Sequence, residues 1–239
     1  MTAPRLLLLS NSKNVGQGYL EHAEAAIKDF LGDRVTMVLF VPYAAVRLTY
    51  DDFTATVRKR FGDLGYGVES VHGVADPRAA VRTAEAIVVG GGNTFHLLKV
   101  MHELGLVEAI AARAGEGVPY IGWSAGANVA CPTTKTTNDM PIVEPPTLRA
   151  MGLVPFQINP HYLDVHPEGH GGETREERLL EFVEANPGVW VIGLREGSIL
   201  RLDGDRLALL GQKSARIFLK GREPWEVGPE ESLQFLLKR

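Results

Sequence analysis

Cysteine is almost absent: Cys131 stands alone among 239 residues. An internal disulfide is therefore impossible, and a zinc centre built from several thiolates is excluded with it. Long apolar runs are missing too, since no stretch approaches the ~18–20 residues that a membrane-spanning helix needs. The opening MTAPRLLLLSNSKN holds only Leu6 to Leu9 as an apolar core, well short of the ~7–15 residues of a secretory signal. It reads instead as a strand entering a polar loop. Positive charge is scarce in runs, and the net charge is −4. Neither feature gives long-range attraction for nucleic acid. No internal repeat, low-complexity tract or linker interrupts the chain. These absences leave a cytoplasmic protein without a cofactor, a metal, a membrane or a nucleic-acid partner as the expectation. A small-molecule substrate is the partner to look for, on a monomer or a homodimer.

What is present is alternation. RLLLLS, TMVLFVP, YGVESVHG, AIVVGGG and PYIGWS are short apolar runs that end in Gly, Ser or Pro, as buried strands do. Between them, YLEHAEAAIKDFL, DDFTATVRKRFGDL, DPRAAVRTA, FHLLKVMHEL and LVEAIAARAG carry apolar residues at helical spacing. Strand–helix alternation of this kind predicts a three-layer α/β fold, with a mostly parallel sheet covered by helices on both faces. Ligands of such folds gather at the carboxyl ends of the strands. After Cys131, CPTTKTTNDMPIVEPPTL is too polar and Pro-rich for a helix. GGETREERLLEFVEANPG follows as one helix, capped at Thr174 and stopped at Asn186-Pro187-Gly188. The remaining strand-like runs, with a turn at Asp203-Gly204, predict a mixed or antiparallel edge of the same sheet. Residues 1–239 are thus expected to form a single α/β domain.

Within PYIGWSAGANV, Ser124 sits at the centre of Gly-x-Ser-x-Gly, between an apolar strand and a small-residue helix. That is the setting of a nucleophile elbow, where tiny neighbours allow a strained turn to hold the hydroxyl outward. The Ala125 amide would open the helix and face a developing oxyanion. A plain strand-to-helix turn with a capping serine is the structural alternative. A serine hydroxyl needs a base, and the base needs an orienting acid. Of seven histidines, His22, His96 and His102 fall on helices, and His72 ends a strand with nothing distinctive around it. His161, His166 and His170 cluster in INPHYLDVHPEGHGGE, on a loop where a base belongs. Zinc binding is the rival reading of that cluster, although no two of the three have the i, i+4 spacing of a zincin.

Five segments carry a resemblance: GGGNTF (90–95), GWSAGAN (122–128), TTNDMPIVEPP (136–146), INPHY (158–162) and PEGHGGETREER (167–178). Together, and in this order, they resemble the peptidase E family, serine peptidases that cleave dipeptides with N-terminal aspartate. The likeness runs from SNSKN at Ser10 to IGLREG at Ile192. It implies a fold similar to class I glutamine amidotransferase domains, whose elbow carries Cys where this chain has Ser124. It also implies Ser124 as nucleophile and His161 as base. For the acid, the resemblance offers Asp139 of TTNDMP and, as a rival, Glu196 of LREG. The chain order Ser…Asp…His favours Asp139. Gly92, at a strand end that lacks the full G-x-G-x-x-G phosphate spacing, is expected to add a second oxyanion amide. Arg175 is expected to grip the aspartyl side chain through two parallel hydrogen bonds. Its plainer reading is a solvated arginine paired with Glu176 or Glu177 in the first turn of a helix.

Two further readings stand beside this one. A cyanophycinase-like peptidase would use a related elbow on β-aspartyl links. A non-catalytic nucleotide-binding α/β protein would use GGGNTF and SNSKN on phosphates, but would leave GWSAG and NPHY without a task.

Overall fold

A computed structural model of the chain describes residues 4–164, 169 and 171–238. Leu6 to Leu9 show why the first strand is apolar throughout. On β1 (Arg5–Leu9), Leu6 and Leu8 join one core cluster while Leu7 and Leu9 join another on the opposite face. Successive strand side chains point to opposite faces, so a sheet covered on both sides needs apolar residues at every position.

The elements alternate as the patterning predicts. After β1 come α1 (Glu24–Leu31), β2 (Met37–Val41), α2 (Tyr50–Leu64), β3 (Gly67–Ser70) and α3 (Pro77–Thr83). β4 (Ile87–Val89), α4 (Thr94–Glu103), α5 (Leu106–Gly115), β5 (Tyr120–Trp123) and the single turn α6 (Ala125–Asn128) complete the first half. Helix α1 and helix α2 cover one face, through Ile27, Phe30, Val57 and Phe61. Helices α4 and α5 cover the other, through Leu97, Leu98, Met101 and Ile110. The helix starts follow local chemistry: Thr49, Asp76 and Asn93 each accept a backbone N–H from the first turn of the helix they cap.

The second half holds β6 (Gln157–Tyr162), α7 (Arg175–Ala185), β7 (Val191–Arg195), β8 (Ile199–Asp203), β9 (Arg206–Leu210), β10 (Ala215–Phe218) and β11 (Trp225–Val227). Helix α7 begins with a full capping box between Thr174 and Glu177. The main sheet runs β3-β2-β4-β5-β1-β8-β9. Its first five strands are parallel, and β8 and β9 add an antiparallel edge turned at Gly204. The other late strands do not extend that edge. They pair as β11-β10-β7-β6, a second sheet in which β6 and β7 run parallel. One core cluster contains residues of both sheets, among them Leu8, Val89, Ile158 and Ile192. That packing brings the ends of β4, β5, β6 and β7 together.

Candidate active site

Ser124 follows β5 directly, with φ 52° and ψ −111°. Few non-glycine residues adopt positive φ, and the neighbours explain how this one is held. A Cβ on Gly122 would lie 2.4 Å from the Gly126 carbonyl oxygen, and one on Gly126 would lie 2.2 Å from that of Val89. The turn is therefore too tight for any side chain at either flank. The Ser124 N–H donates to Leu9 O at 3.0 Å, which ties the elbow to the end of β1. The hydroxyl is left facing a cavity of about 600 Å³.

His161 reaches Ser124 from the second sheet. Its Nε2 lies 3.0 Å from Ser124 Oγ, and its Nδ1 lies 2.7 Å from Glu196 Oε1. The ring is aimed by a β-bulge: Pro160 pairs with Leu194 and Tyr162 with Arg195, leaving His161 as the extra residue, with φ 54°. Bulges re-aim a side chain that regular pleating would direct elsewhere. Ser10 secures it, accepting the His161 N–H at 2.9 Å and donating to Leu194 O at 2.7 Å. Asn11 does the same for the turn that carries Glu196, accepting the Gly197 N–H at 2.8 Å. SNSKN, one of the segments that a phosphate binder would use, thus supports the histidine and the glutamate.

Asp139, the acid favoured by chain order, does not meet His161. Its Oδ2 accepts from Thr94 N at 2.7 Å, from Thr94 Oγ1 at 2.5 Å and from Thr137 Oγ1 at 3.2 Å. A carboxylate at the N-terminus of α4 satisfies a free amide and complements the helix dipole. Nearby, Asn93 Nδ2 donates to Met140 O at 2.9 Å. The rest of the TTND segment latches β6: Asn138 Nδ2 donates to Pro160 O at 2.6 Å, and Thr136 Oγ1 to Ile158 O at 2.8 Å. Glu196, and not the favoured Asp139, is the carboxylate within hydrogen-bond reach of His161.

Gly92 and Ala125 flank Ser124. Neither amide has a partner among the described residues, so both are available to an oxyanion. Gly92 has φ 142°, and a Cβ there would lie 2.2 Å from Ala44 O. Arg175, by contrast, is not brought to Ser124. It opens α7 and lines a separate cavity with Asp139, Asn159 and Phe182. Its guanidinium has no ion-pair partner among the described residues, and burial together with the charge of Arg178 pulls its pKa down. Glu176, its suggested surface partner, is engaged by Arg216 and Tyr162.

Of the three clustered histidines, His166 and His170 lie outside the described residues. Among those described, no group of His, Cys, Asp or Glu is arranged to share a metal ion. His96 and His102 bind the carbonyls of Tyr43 and Arg149, and His72 bridges Ser70 and Asp51. Cys131 is buried, which pushes its thiol up to about 12 and keeps it unreactive. Two contributors had no signal in the sequence. Arg195 donates to Asp164 at 2.7 Å and to Glu226 at 2.8 Å, clamping the ends of β6 and β7 beside His161 and Glu196. Arg47 lines the Ser124 cavity from the loop after β2.

Known proteins resemble the chain over most of its length. The model of Peptidase family S51 matches residues 6–210. The Peptidase E of Streptomyces coelicolor is 52% identical over 233 residues, covering 97% of this chain and 94% of the relative. That of Nostoc sp. is 49% identical over 235 residues, covering 98% and 97%. In structure, a peptidase from an acI-B1 Actinobacterium shares the fold with a TM-score of 0.69 at 18% identity, over 97% of this chain and 96% of that one. No helix among the described residues is long and apolar enough to cross a membrane. The chain belongs to Peptidase family S51 and is a serine peptidase.

Proposed function

We propose that the chain is a dipeptidase that hydrolyses Asp-X through an acyl-enzyme on Ser124, with His161 as base and Glu196 as the orienting acid. The observation that carries the reading is the continuous path from Ser124 Oγ to His161 Nε2, and from His161 Nδ1 to Glu196 Oε1, at 3.0 and 2.7 Å. Both lengths are within the reach that general-base catalysis needs.

As Ser124 Oγ attacks the carbonyl carbon of the aspartyl residue, Nε2 takes the hydroxyl proton. The imidazolium so formed is stabilised by the Glu196 carboxylate, which accepts from Nδ1–H and fixes the tautomer. The Gly92 and Ala125 amides receive the oxyanion, each worth about 3 kcal/mol of barrier. Collapse breaks the peptide C–N bond, and Nε2–H passes its proton to the departing amine. Water then repeats the sequence on the Ser124 ester, and aspartate leaves.

The Asp-X preference rests on the resemblance of the sequence motifs to the peptidase E family. Arg175 is our candidate cation for the aspartyl side chain, supported by its half-buried guanidinium, which has no ion-pair partner among the described residues. Because it lines a cavity apart from that of Ser124, its role needs its own test. Arg175→Ala should cut kcat/KM steeply on Asp-Leu and much less on Ala-Leu. An equal drop on both removes Arg175 from recognition. For the mechanism, Ser124→Ala should abolish Asp-Leu hydrolysis with no loss of fold by circular dichroism, and retained turnover ends the proposal. A panel of α- against β-aspartyl dipeptides separates this reading from action on β-aspartyl links.

A further inference from the structure

The Ser124 cavity has an uneven wall. Among the described residues that line it, Arg47 alone carries a permanent charge and none is a carboxylate. The Arg47 side chain is exposed and has no hydrogen bond or ion pair among the described residues. Most other arginines differ: Arg195, Arg201 and Arg216, for example, are each held by two carboxylates. On either side of Arg47, Val46 and Leu48 are 51% and 58% exposed, and Ile142 across the same cavity is 50% exposed. Large apolar side chains this open, gathered on one rim around a free cation, form a surface of mixed chemistry. The rim is also close to the oxyanion amides. Ala44, two residues before Val46, packs its carbonyl against Gly92 and accepts the Asn93 N–H at 2.8 Å.

We propose that Arg47 binds the free carboxylate of the residue following the scissile bond, while Val46, Leu48 and Ile142 receive that residue's side chain. The inference rests on the Asp-X reading and adds to it the reason that cleavage is confined to dipeptides. The second residue of a dipeptide presents a side chain and a carboxylate from one Cα, and a guanidinium flanked by apolar groups complements both. A guanidinium pairs with a carboxylate through two parallel charge-assisted hydrogen bonds. In a longer peptide an amide stands in that place. The ion pair is then lost, and the continuing chain desolvates Arg47 without compensation, which discriminates against such substrates.

The test compares Asp-Leu with its C-terminal carboxamide, using wild type, Arg47→Ala and Arg47→Lys. Wild type should prefer the acid by roughly 10- to 100-fold in kcat/KM, the range given by a charge-assisted pair. Arg47→Ala should lose that preference through a raised KM on the acid, cleave the amide at least as well as wild type because the desolvation penalty is gone, and keep the wild-type melting temperature. Arg47→Lys should restore part of the preference. An equal loss on acid and amide in Arg47→Ala overturns the proposal, as does a wild type that cleaves both alike. In either case the Asp-X reading stands, whereas a wild type inert toward both compounds sinks that reading itself.

Discussion

At Ser124 the main chain holds a conformation that costs a residue with a side chain about 1–3 kcal/mol. Gly122 and Gly126 make it possible by leaving no Cβ to collide with the carbonyls of Gly126 and Val89. This feature was legible in the sequence because both glycines lie within five residues of chain, although the Val89 carbonyl that Gly126 must clear comes from β4. The choice between Glu196 and Asp139 was not. Both follow strand-like runs, and what separates them is how the second sheet seats Glu196 on His161 while α4 draws Asp139 to Thr94. The two carboxylates should therefore fail differently. Glu196→Gln should lower kcat by roughly 10³-fold or more with little change in melting temperature. Asp139→Ala should instead remove a helix-end contact worth about 1–2 kcal/mol, lowering the melting temperature by a few degrees. Paired kinetics and thermal melts check both.

Among the elements, helices announced themselves through spacing and caps. Thr174 and the Asn186-Pro187-Gly188 stop bracket α7 in the structure as they do in the sequence. The parallel strands of the main sheet were nearly as plain, since most are short apolar runs; β3, with Glu69 exposed, is the exception. The sheet to which β6, β7, β10 and β11 belong was not, because a short strand says nothing about its neighbour. The irregular segment 132–156 hid its role as well: its side chains latch onto the backbone carbonyls of β6, and such contacts have no periodicity. At the junction of β6 and β7, Arg195 is held by Asp164 and Glu226 with its guanidinium 5.4 Å from the Tyr162 ring centroid. The carboxylates are partly exposed, so solvent screening limits the stability at stake to about 1–2 kcal/mol. Function should be more sensitive, because the clamp sits next to both His161 and Glu196. Arg195→Met is expected to lower kcat about 10-fold with a smaller effect on KM, since imidazole aim matters most in the transition state.

Over the whole molecule, pH acts through groups far from one another in the chain. Burial lowers the pKa of His22 from 6.5, against the opposing pull of Glu196, and both ring nitrogens are buried with no hydrogen-bond partner among the described residues. The unfolded chain therefore takes up a proton near pH 6.5 that the folded one resists, so stability falls as pH drops below that value. Asp164 and Glu226 are held below 3.8 and 4.5 through hydrogen bonds from Arg195. Their contribution is present above those values and is lost as pH falls through the lower folded ones. Melting temperature should accordingly decline in two stages on acidification. His22→Gln should erase the upper stage and spare the lower, and a profile unchanged by the substitution would exclude His22 as its source.

The imidazole of His161 owes its aim to one surplus residue in β6 that β7 does not match. Removing Pro160 would restore even pairing and turn the His161 ring away from the elbow, even with Ser124, His161 and Glu196 all still present. In this stretch the count of residues is as strictly constrained as their identity, so variants that alter length here should lose turnover before they lose the fold.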